Sequence, residues 1–240
     1  MRCCFKMAAA TTPWPVHAEA DSRRGRLVVL EGIDGCGKST QLQALAAWLP
    51  SSGLLEPGAQ LRLTREPGGT ALGQALRELL LHPPGGAAPE TNAELLLYAA
   101  DRAQHVQQVI EPALAAGHWV LSDRFSGSTA AYQGYGRGLP LATIAQLEQI
   151  ATGGLQPDLT LWLDLPLAEA CRRRGHRPAD RIEAAGDAFL ARVHQGFARL
   201  AAERGWQPIA AAEPPQAVTA ACQQVLWRCL QPQPSGASGA

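Results

Sequence analysis

Lysine is almost missing from this chain of 240 residues: of its 21 basic residues, only Lys6 and Lys38 are lysines. Aromatic residues are also scarce, at 5%, which argues against a nucleic-acid binder that stacks bases on aromatic rings. Basic and acidic residues balance at 21 each, so no overall field attracts the protein to nucleic acid or to a membrane surface. Any anion-binding site must therefore arise from local clustering of charge.

Two further absences narrow the class of protein. No apolar run approaches the roughly 18–20 residues that a membrane-spanning helix requires. None of the six cysteines belongs to a C-x-x-C pair of the kind used by zinc and thiol-redox sites, which favours a reducing compartment, and we expect a cytoplasmic protein.

Both ends of the chain are predicted to be disordered tails. Residues 1–25 lack the apolar region of a signal peptide, and an organellar transit peptide is the alternative interpretation. Residues 231–240 are rich in proline, glycine and serine. The predicted domain is therefore a single one, over 26–230.

Between the tails, short apolar runs alternate with helical patterns. The runs predict strands at 26–30, 60–64, 118–122, 159–164 and 206–210. The patterns predict helices at 38–49, 71–81, 91–116, 141–152, 184–204 and 216–230, with Pro112 kinking or ending the third. This alternation is typical of an α/β fold with a doubly wound parallel sheet, whose ligands bind at the carboxyl ends of the strands.

The segment after the first predicted strand has the spacing of a phosphate-binding loop, G-x-x-x-x-G-K-[ST], placed between a strand and a helix. Its glycines let the backbone approach phosphate oxygens, and the helix N-terminus adds positive potential. A chance glycine turn is the alternative. We expect Lys38 to reach the β- and γ-phosphates and Ser39 to hold magnesium. The residues expected to bind ATP are Gly32, Ile33, Asp34, Gly35, Cys36, Gly37, Lys38, Ser39 and Thr40.

The third predicted strand ends in an acid and a base, Asp123 and Arg124. A carboxylate at this strand end lies beside a P-loop in this class of fold and can bind magnesium or its waters. Asp123 could instead cap a helix starting near Ser126. Arg124 adds positive charge to the site unless it is merely exposed.

The densest run of arginines lies at 171–183, after the fourth predicted strand. A solvated charge run is the common explanation for such a patch. Beside a P-loop, we favour a lid over ATP, because arginine binds phosphate through two hydrogen bonds and neutralises transition-state charge. The chain has no Asn-Lys-x-Asp motif, which argues against a GTPase. The candidate catalytic arginines of the lid are Arg172, Arg174 and Arg177.

Five motifs together resemble the thymidylate kinase family in order and spacing, over about 26–230. They are the P-loop, Thr64-Arg65-Glu66-Pro67-Gly68-Gly69-Thr70, Tyr98-Ala99-Ala100-Asp101-Arg102, Asp123-Arg124-Phe125 with Ser128-Thr129-Ala130-Ala131-Tyr132-Gln133-Gly134, and Asp180-Arg181-Ile182-Glu183. The resemblance implies a P-loop NTPase fold, a five-stranded parallel sheet flanked by helices, and a nucleoside monophosphate kinase domain that phosphorylates dTMP to dTDP with ATP. It also implies a homodimer, with Mg²⁺ as cofactor and no nucleic-acid or membrane partner. Gly35 and the lid arginines resemble the bacterial type.

The resemblance also implies which residues contact the base of dTMP, the nucleotide that accepts the phosphoryl group. Tyr98 falls where the family has an aromatic ring, usually Phe, against thymine, although alone it could equally be a core residue. Arg102, Thr129 and Gln133 fall at positions that contact the edge of the base. Tyr132 matches the tyrosine that lies beneath the sugar and disfavours a ribose 2′-hydroxyl.

The phosphate end of the acceptor is implied in the same way. Asp34 matches an acid near the sugar 3′-hydroxyl and the transferring phosphate. Glu66 and Arg77 match residues at the monophosphate, with Arg65 and Arg124 as further candidates. The catalytic set is thus Lys38, Asp34, Arg124 and the three lid arginines, and the metal ligands are Ser39 and Asp123. Two alternatives stay open: a kinase for dUMP or CMP, or a nucleotide-binding module without transfer activity.

Overall fold

The protein is described from a computed structural model that covers residues 24–174 and 181–231, with the side chains of Arg174 and Glu183 excepted. Arg177 and most of the two predicted tails lie outside the described residues. Arg24 and Gly25, which the sequence analysis assigned to the N-terminal tail, contact the domain. The Gly25 amide donates to the Leu114 carbonyl at 2.8 Å, and Arg24 lies 3.2 Å from Asp158.

Five parallel strands form one sheet in the order β2-β3-β1-β4-β5. Each predicted strand is confirmed, with its ends shifted by no more than one residue. The strands are β1 (Leu27–Glu31), β2 (Leu61–Arg65), β3 (Trp119–Asp123), β4 (Leu159–Asp164) and β5 (Gln207–Ala210). Strand β1 is buried along its whole length, as expected for a central strand covered on both faces.

Helices flank this sheet. The α-helices of the described residues are α1 (Lys38–Trp48), α2 (Ala71–Leu81), α3 (Thr91–His105), α4 (Glu111–Ala115), α5 (Ser126–Thr129), α6 (Leu141–Thr152), α7 (Leu167–Arg174), α8 (Asp187–Arg204) and α9 (Pro215–Leu230). Short 3₁₀ turns cover Leu49–Ser51, Pro84–Gly86 and Glu183–Ala185. None of the helices in the described ranges is long and apolar enough to cross a membrane.

One predicted helix is interrupted, and two helical segments were not predicted. The single helix predicted over 91–116 is interrupted by a π-helical turn, Val106–Ile110, and restarts as α4 with Pro112 in its first turn, where the missing N–H of proline costs nothing. A second π-helical segment, Ala130–Gly136, extends α5. Helix α7 was not predicted as a helix.

The change of direction in the strand order falls at β1, which pairs with β3 on one side and β4 on the other. In doubly wound sheets, ligands bind at the carboxyl ends of strands at such a point. In this sheet, Leu30 of β1 lies opposite Asp123 of β3. The P-loop and the Asp123-Arg124 pair therefore emerge side by side.

Candidate active site

The P-loop is already folded as a phosphate cradle. Gly32, Gly35 and Gly37 have φ angles of 143°, 85° and 97°, which residues with a Cβ rarely adopt. Lys38 is buried, and its Nζ donates to the carbonyl oxygens of Gly32 at 3.0 Å and Ile33 at 3.1 Å. The only lysine of the described residues is thus held within the loop, where it can exchange these carbonyls for phosphate oxygens.

The loop packs directly on the first turns of α7. A Cβ on Gly35 would lie 3.0 Å from the carbonyl oxygen of Ala170. Cys36 is also buried, and burial raises the pKa of its thiol, which fits a small filler rather than a nucleophile. The arginine-rich segment therefore begins in contact with the P-loop, as a lid base would.

Ser39 and Asp123 meet at the mouth of the loop. The Ser39 hydroxyl donates to Oδ2 of Asp123 at 3.3 Å. The other oxygen, Oδ1, is buried and has no hydrogen-bond partner among residues 24–174 and 181–231. No cluster of three or more metal-ligating side chains occurs in these ranges. A hydroxyl and a carboxylate fit Mg²⁺ bound mainly through phosphate oxygens and water, which is its usual mode in P-loop enzymes.

Asp123 does not cap the helix that follows it. The first turn of α5 is instead satisfied by Glu31, whose Oε1 accepts from the backbone N–H of Phe125 at 3.0 Å and of Ser128 at 3.1 Å. Glu31 Oε2 accepts from the Ser128 hydroxyl at 2.6 Å. Burial raises the pKa of Glu31, although these hydrogen bonds and the nearby Arg124 oppose that effect. The sequence analysis gave this carboxylate no role.

Arg124 forms the centre of a polar cluster between the P-loop and α5. Its φ of 72° is left-handed, an unusual conformation for a residue with a long side chain. Its guanidinium donates to Asp34 Oδ1 at 2.6 Å, to the Gly32 carbonyl at 3.0 Å and to the Ser128 hydroxyl at 2.9 Å. The side chain also lies over the Tyr132 ring, 5.2 Å from its centroid.

Asp34 is ionised within this cluster. Burial alone would raise the pKa of its carboxyl, but Arg124, Lys38 and the Tyr132 hydroxyl together hold the pKa well below its usual range. The side chain is 31% exposed, so solvent weakens each of these interactions. An anion is thus placed beside two cations at the border between the P-loop and the neighbouring cavity.

That cavity brings together nine of the ten side chains expected at the acceptor site; Arg65, a further candidate at the phosphate, is not among its lining residues. The predicted residues that line it are Asp34, Glu66, Arg77, Tyr98, Arg102, Arg124, Thr129, Tyr132 and Gln133. Five further residues line it without having been predicted: Pro67, Leu81, Phe125, Ser128 and Ile182. Side chains from six separate stretches of sequence therefore converge on one space next to the P-loop.

Glu66 and Arg102 form a buried ion pair along one wall. Arg102 Nε donates to Glu66 Oε2 at 2.8 Å, and its Nη2 donates to the Thr129 hydroxyl at 3.0 Å and to the Phe125 carbonyl at 3.2 Å. Burial would raise the pKa of Glu66, but Arg102 and a hydrogen bond from His105 lower it. Glu66 thus lines the cavity with both carboxylate oxygens already engaged, one by Arg102 and one by His105, an arrangement that can orient the Arg102 guanidinium.

His105 extends this pair into the core. The histidine is fully buried; its Nδ1 lies 2.8 Å from Glu66 Oε1 and its Nε2 lies 2.6 Å from the Thr64 hydroxyl. An ionised carboxylate only accepts hydrogen bonds, so Nδ1 is the nitrogen that donates. The sequence analysis did not identify His105, because a lone histidine on a helix carries no local signal of its partners.

Tyr98 and Arg77 both line the cavity and differ in chemistry. Tyr98 is partly buried, and burial raises the pKa of its phenol well above the ordinary value, so the ring is neutral. Arg77 donates to the Pro67 carbonyl at 3.1 Å, in the loop that follows β2. The cavity thus has an aromatic face at one place and an arginine at another, as a pyrimidine and a phosphate require.

Arg172, the lid candidate whose side chain is described, does not line this cavity. Arg172 pairs with Glu169 at 2.7 Å and Arg173 pairs with the same carboxylate at 2.8 Å, both on the exposed face of α7. These hydrogen bonds lower the pKa of Glu169 to about 2. The side chain of Arg174 and the whole of Arg177 lie outside the described residues.

A P-loop, an acid at the end of the neighbouring strand and an adjoining cavity lined with cations define an enzyme class, the P-loop phosphotransferases that act on a small phosphorylated acceptor. Comparisons with known proteins identify the family within this class. The family model described as "Thymidylate kinase" matches residues 30–222.

Curated relatives and a solved structure agree with the family model. A thymidylate kinase from Synechococcus sp. (strain RCC307) is 68% identical over 208 residues, which cover 87% of this chain and 98% of that protein. One from Prochlorococcus marinus (strain MIT 9313) is 67% identical, over 84% of this chain and 94% of that protein. The crystal structure of thymidylate kinase from Ehrlichia chaffeensis is similar with a TM-score of 0.67 and 30% identity, over 85% of this chain and 98% of that chain. The chain belongs to the thymidylate kinase family.

Proposed function

We propose that this chain transfers the γ-phosphoryl group of ATP to dTMP, giving ADP and dTDP, and that it does so at the P-loop and the adjoining cavity. One observation carries the assignment of the site. Nine of the ten side chains expected to bind the acceptor line a single cavity, and Arg124 with Asp34 joins that cavity to the P-loop.

The reaction needs positioning more than proton transfer. An ionised oxygen of the dTMP phosphate attacks the γ-phosphorus, and the bond from that phosphorus to the leaving ADP oxygen breaks. Because the nucleophile is already an anion, no strong general base is required, and oriented cations can supply most of the stabilisation. Lys38 and Arg124 are the buried or half-buried cations available for this, and Arg172, Arg174 and Arg177 are the lid candidates.

Residues of the P-loop and β3 would hold the divalent cation. Ser39 and Asp123 are the expected ligands, with the unpartnered Oδ1 of Asp123 as the oxygen that is free to bind the ion or one of its waters. When bound there, Mg²⁺ would neutralise negative charge on the phosphate groups of ATP.

The acceptor fits the cavity with its base between Tyr98 and the Arg102-Thr129-Gln133 wall. The sugar then lies over Tyr132, and its phosphate faces Arg124 and Arg77. The Tyr132 hydroxyl is already engaged with Asp34 at 2.6 Å, so the space beneath the sugar is filled and polar. A 2′-hydroxyl would have to compete for this space, which favours deoxynucleotides.

A coupled spectrophotometric assay of ADP release across dTMP, dUMP, dCMP and CMP tests the assignment. We expect dTMP to be the preferred acceptor, and Lys38→Ala to lose about 100-fold or more in kcat, the scale on which single electrostatic groups contribute. A preference for CMP would contradict the base assignment. Thermal stabilisation by dTMP and ATP without any dTDP formed would identify a nucleotide-binding module instead.

We also propose that the protein is a homodimer of the cytoplasm. Leu72 and Leu79 on α2 and Leu96 on α3 are large apolar side chains that are between 41% and 56% exposed. Because α2 and α3 pack on each other, these leucines provide a candidate apolar surface. Light scattering after size-exclusion chromatography should give twice the chain mass, and Leu96→Glu should give the monomer mass.

A further inference from the structure

The side-chain amide of Gln133 has a fixed orientation. Its Nε2 donates to Glu94 Oε1 at 2.8 Å, and Gln133 is 1% exposed. An ionised carboxylate accepts hydrogen bonds and donates none, so Glu94 selects the NH₂ end of the amide and turns the oxygen away. That oxygen accepts no hydrogen bond from any residue in 24–174 or 181–231, although Gln133 lines the acceptor cavity.

Glu94 is held as an anion by two arginines. Arg181 Nη2 lies 2.5 Å and Arg137 Nη2 lies 3.3 Å from Glu94 Oε2, so the oxygen that faces Gln133 is the other one. Burial would raise the pKa of Glu94, but the hydrogen bonds from Gln133, Arg181 and Arg137 lower it below the usual range. Oε2 therefore binds both arginines, whereas Oε1 accepts from the Gln133 amide at 2.8 Å and, at a longer 3.4 Å, from Arg137 Nε.

Arg102 supplies a hydrogen-bond donor that complements the acceptor oxygen of Gln133. Its Nε and Nη2 are bound to Glu66, Thr129 and the Phe125 carbonyl, and this guanidinium is a donor whichever way it turns. The wall thus offers a donor from Arg102 beside an acceptor from Gln133. Thymine and uracil present the matching edge, an O4 acceptor next to an N3–H donor. Cytosine presents the reverse, an N4 amine donor next to an N3 acceptor.

We propose that Glu94 is a specificity-determining residue: by fixing the amide of Gln133 with its oxygen toward the base, it selects thymine and uracil over cytosine. The inference rests on the proposed dTMP kinase function and extends it to a residue that does not line the cavity. Glu94 is a positioning residue, since it acts through Gln133. The oriented amide does not distinguish thymine from uracil, because both bases present the same O4 acceptor and N3–H donor.

The isosteric variant Glu94→Gln tests this directly. Its amide oxygen would take the place of Oε2 toward Arg181 and Arg137 Nη2. Its NH₂ would take the place of Oε1 toward Gln133, at the loss of the 3.4 Å contact with Arg137 Nε. Gln133 must then turn its own oxygen toward residue 94 and its NH₂ toward the base, where it suits the N3 of cytosine. We expect the ratio of kcat/KM for dTMP to that for dCMP to fall about tenfold or more, as for one mismatched hydrogen bond. The ratio for dTMP to dUMP should not change, and Arg102 should keep dTMP the better acceptor.

A double-mutant cycle separates orientation from general damage. Gln133→Leu removes the oriented amide, so adding Glu94→Gln to it should leave the dTMP to dCMP ratio unaltered. Where dCMP turnover is too slow to follow, its competitive inhibition constant against dTMP replaces kcat/KM. If Glu94→Gln does not fold with two unpaired arginines, Glu94→Gln combined with Arg137→Gln carries the same expectation with less unbalanced charge.

Each outcome decides one question. If Glu94→Gln lowers kcat/KM for dTMP, dUMP and dCMP by one common factor, Glu94 is merely structural and the inference is overturned. A change in ratio that persists in the Gln133→Leu background also overturns it. A wild-type chain that does not phosphorylate dTMP contradicts the proposed function itself, independently of Glu94.

Discussion

The Tyr132 hydroxyl donates a hydrogen bond of 2.6 Å to Asp34 Oδ2, and this contact ties the P-loop to the helical segment after α5. Arg124 occupies the other oxygen of the same carboxylate, also at 2.6 Å. The ring of Tyr132 is anchored by an edge-on contact with Phe197, at 5.9 Å between centroids. The ATP side and the acceptor side of the site therefore share a carboxylate whose position is fixed from both directions.

Tyr132→Phe should isolate the effect of this hydroxyl. The variant keeps the ring and its packing on Phe197, so the free energy of unfolding should fall by only about 1 kcal/mol. Because the hydroxyl helps to lower the pKa of Asp34, its loss should raise that pKa, and the acidic limb of the kcat/KM profile for dTMP should move to higher pH. We expect kcat/KM at neutral pH to fall about tenfold.

Tyr135→Phe is the matched control for that substitution. Tyr135 lies in the same π-helical segment and contacts Arg199 through its ring, and its hydroxyl makes no hydrogen bond with the described residues. It should leave both the pH profile and kcat/KM unchanged. Equal effects from the two substitutions would show that the segment responds to any lost hydroxyl and that the Asp34 contact has no special part.

Glu31→Gln should slow phosphoryl transfer, although residue 31 does not itself contact a substrate. One carboxylate accepts from two backbone N–H groups and from the Ser128 hydroxyl, which in turn accepts from Arg124. Glutamine offers one oxygen in place of two, so one of these donors loses its partner and Arg124 shifts. We expect about a tenfold lower kcat/KM for dTMP, measured by the coupled assay.

Ser128→Ala provides the graded comparison for Glu31→Gln. It removes the link from Glu31 to the guanidinium but keeps the two backbone contacts of the carboxylate. Its loss of kcat/KM should therefore be smaller than that of Glu31→Gln. A larger loss in Ser128→Ala would mean that the hydroxyl acts on the substrate directly.

Local patterns were enough to predict the strands and the P-loop, but not the side-chain partners within the site. The loop is readable because glycines, Lys38 and Ser39 are consecutive and follow a strand. Glu31, Glu94 and His105 were missed because each takes its meaning from residues far along the chain: Glu94 meets Gln133 and Arg181, and His105 meets Glu66 and Thr64. No spacing rule links such pairs.

Helix α7 was missed for a different reason. The arginine run obscured its helical pattern, and we interpreted 171–183 as one lid segment. Glu169 with Arg172 and Arg173, at spacings of three and four residues, was a readable signal for a helix. The nine acceptor residues, in contrast, were expected from the family resemblance, since their convergence on one cavity depends on the tertiary fold.

Gly35→Ala should lower the unfolding free energy by more than the cost of placing alanine at a left-handed φ angle. Gly35 and Gly58 both have a φ of 85°, but a Cβ on Gly58 meets nothing within 4 Å, whereas one on Gly35 lies 3.0 Å from the Ala170 carbonyl. Gly58→Ala should cost about 1 kcal/mol in unfolding free energy and leave transfer intact. Gly35→Ala should cost more and raise the KM for ATP, because the loop must move away from α7.

These two variants are compared by chemical denaturation and by ATP titration at saturating dTMP. Because the φ angle is the same, the difference between their unfolding free energies reports chiefly on the contact with Ala170. Equal unfolding free energies and an unchanged KM for ATP in Gly35→Ala would contradict the close packing of the loop against α7.

Asp101 should make the protein less stable as the pH rises. The carboxyl is 1% exposed and accepts from the Gly68 amide at 3.0 Å. Burial and the neighbouring Glu66 raise its pKa to about 6, from 3.8 in an ordinary setting. The folded state therefore binds a proton that the unfolded state has already released between these two values, and its stabilising effect is lost as the pH rises through 6.

Asp101→Asn removes this titration while keeping an oxygen that accepts from Gly68. The stability of the variant relative to the wild type should therefore increase by about 1 kcal/mol between pH 5 and pH 8. Urea unfolding at both pH values measures this, because changes in all other groups cancel in the difference between the two proteins. The difference in unfolding free energy between the variant and the wild type could instead stay constant or shrink toward pH 8. That result would show that Asp101 is already ionised at pH 5 and that the Arg102 and His105 side chains outweigh its burial.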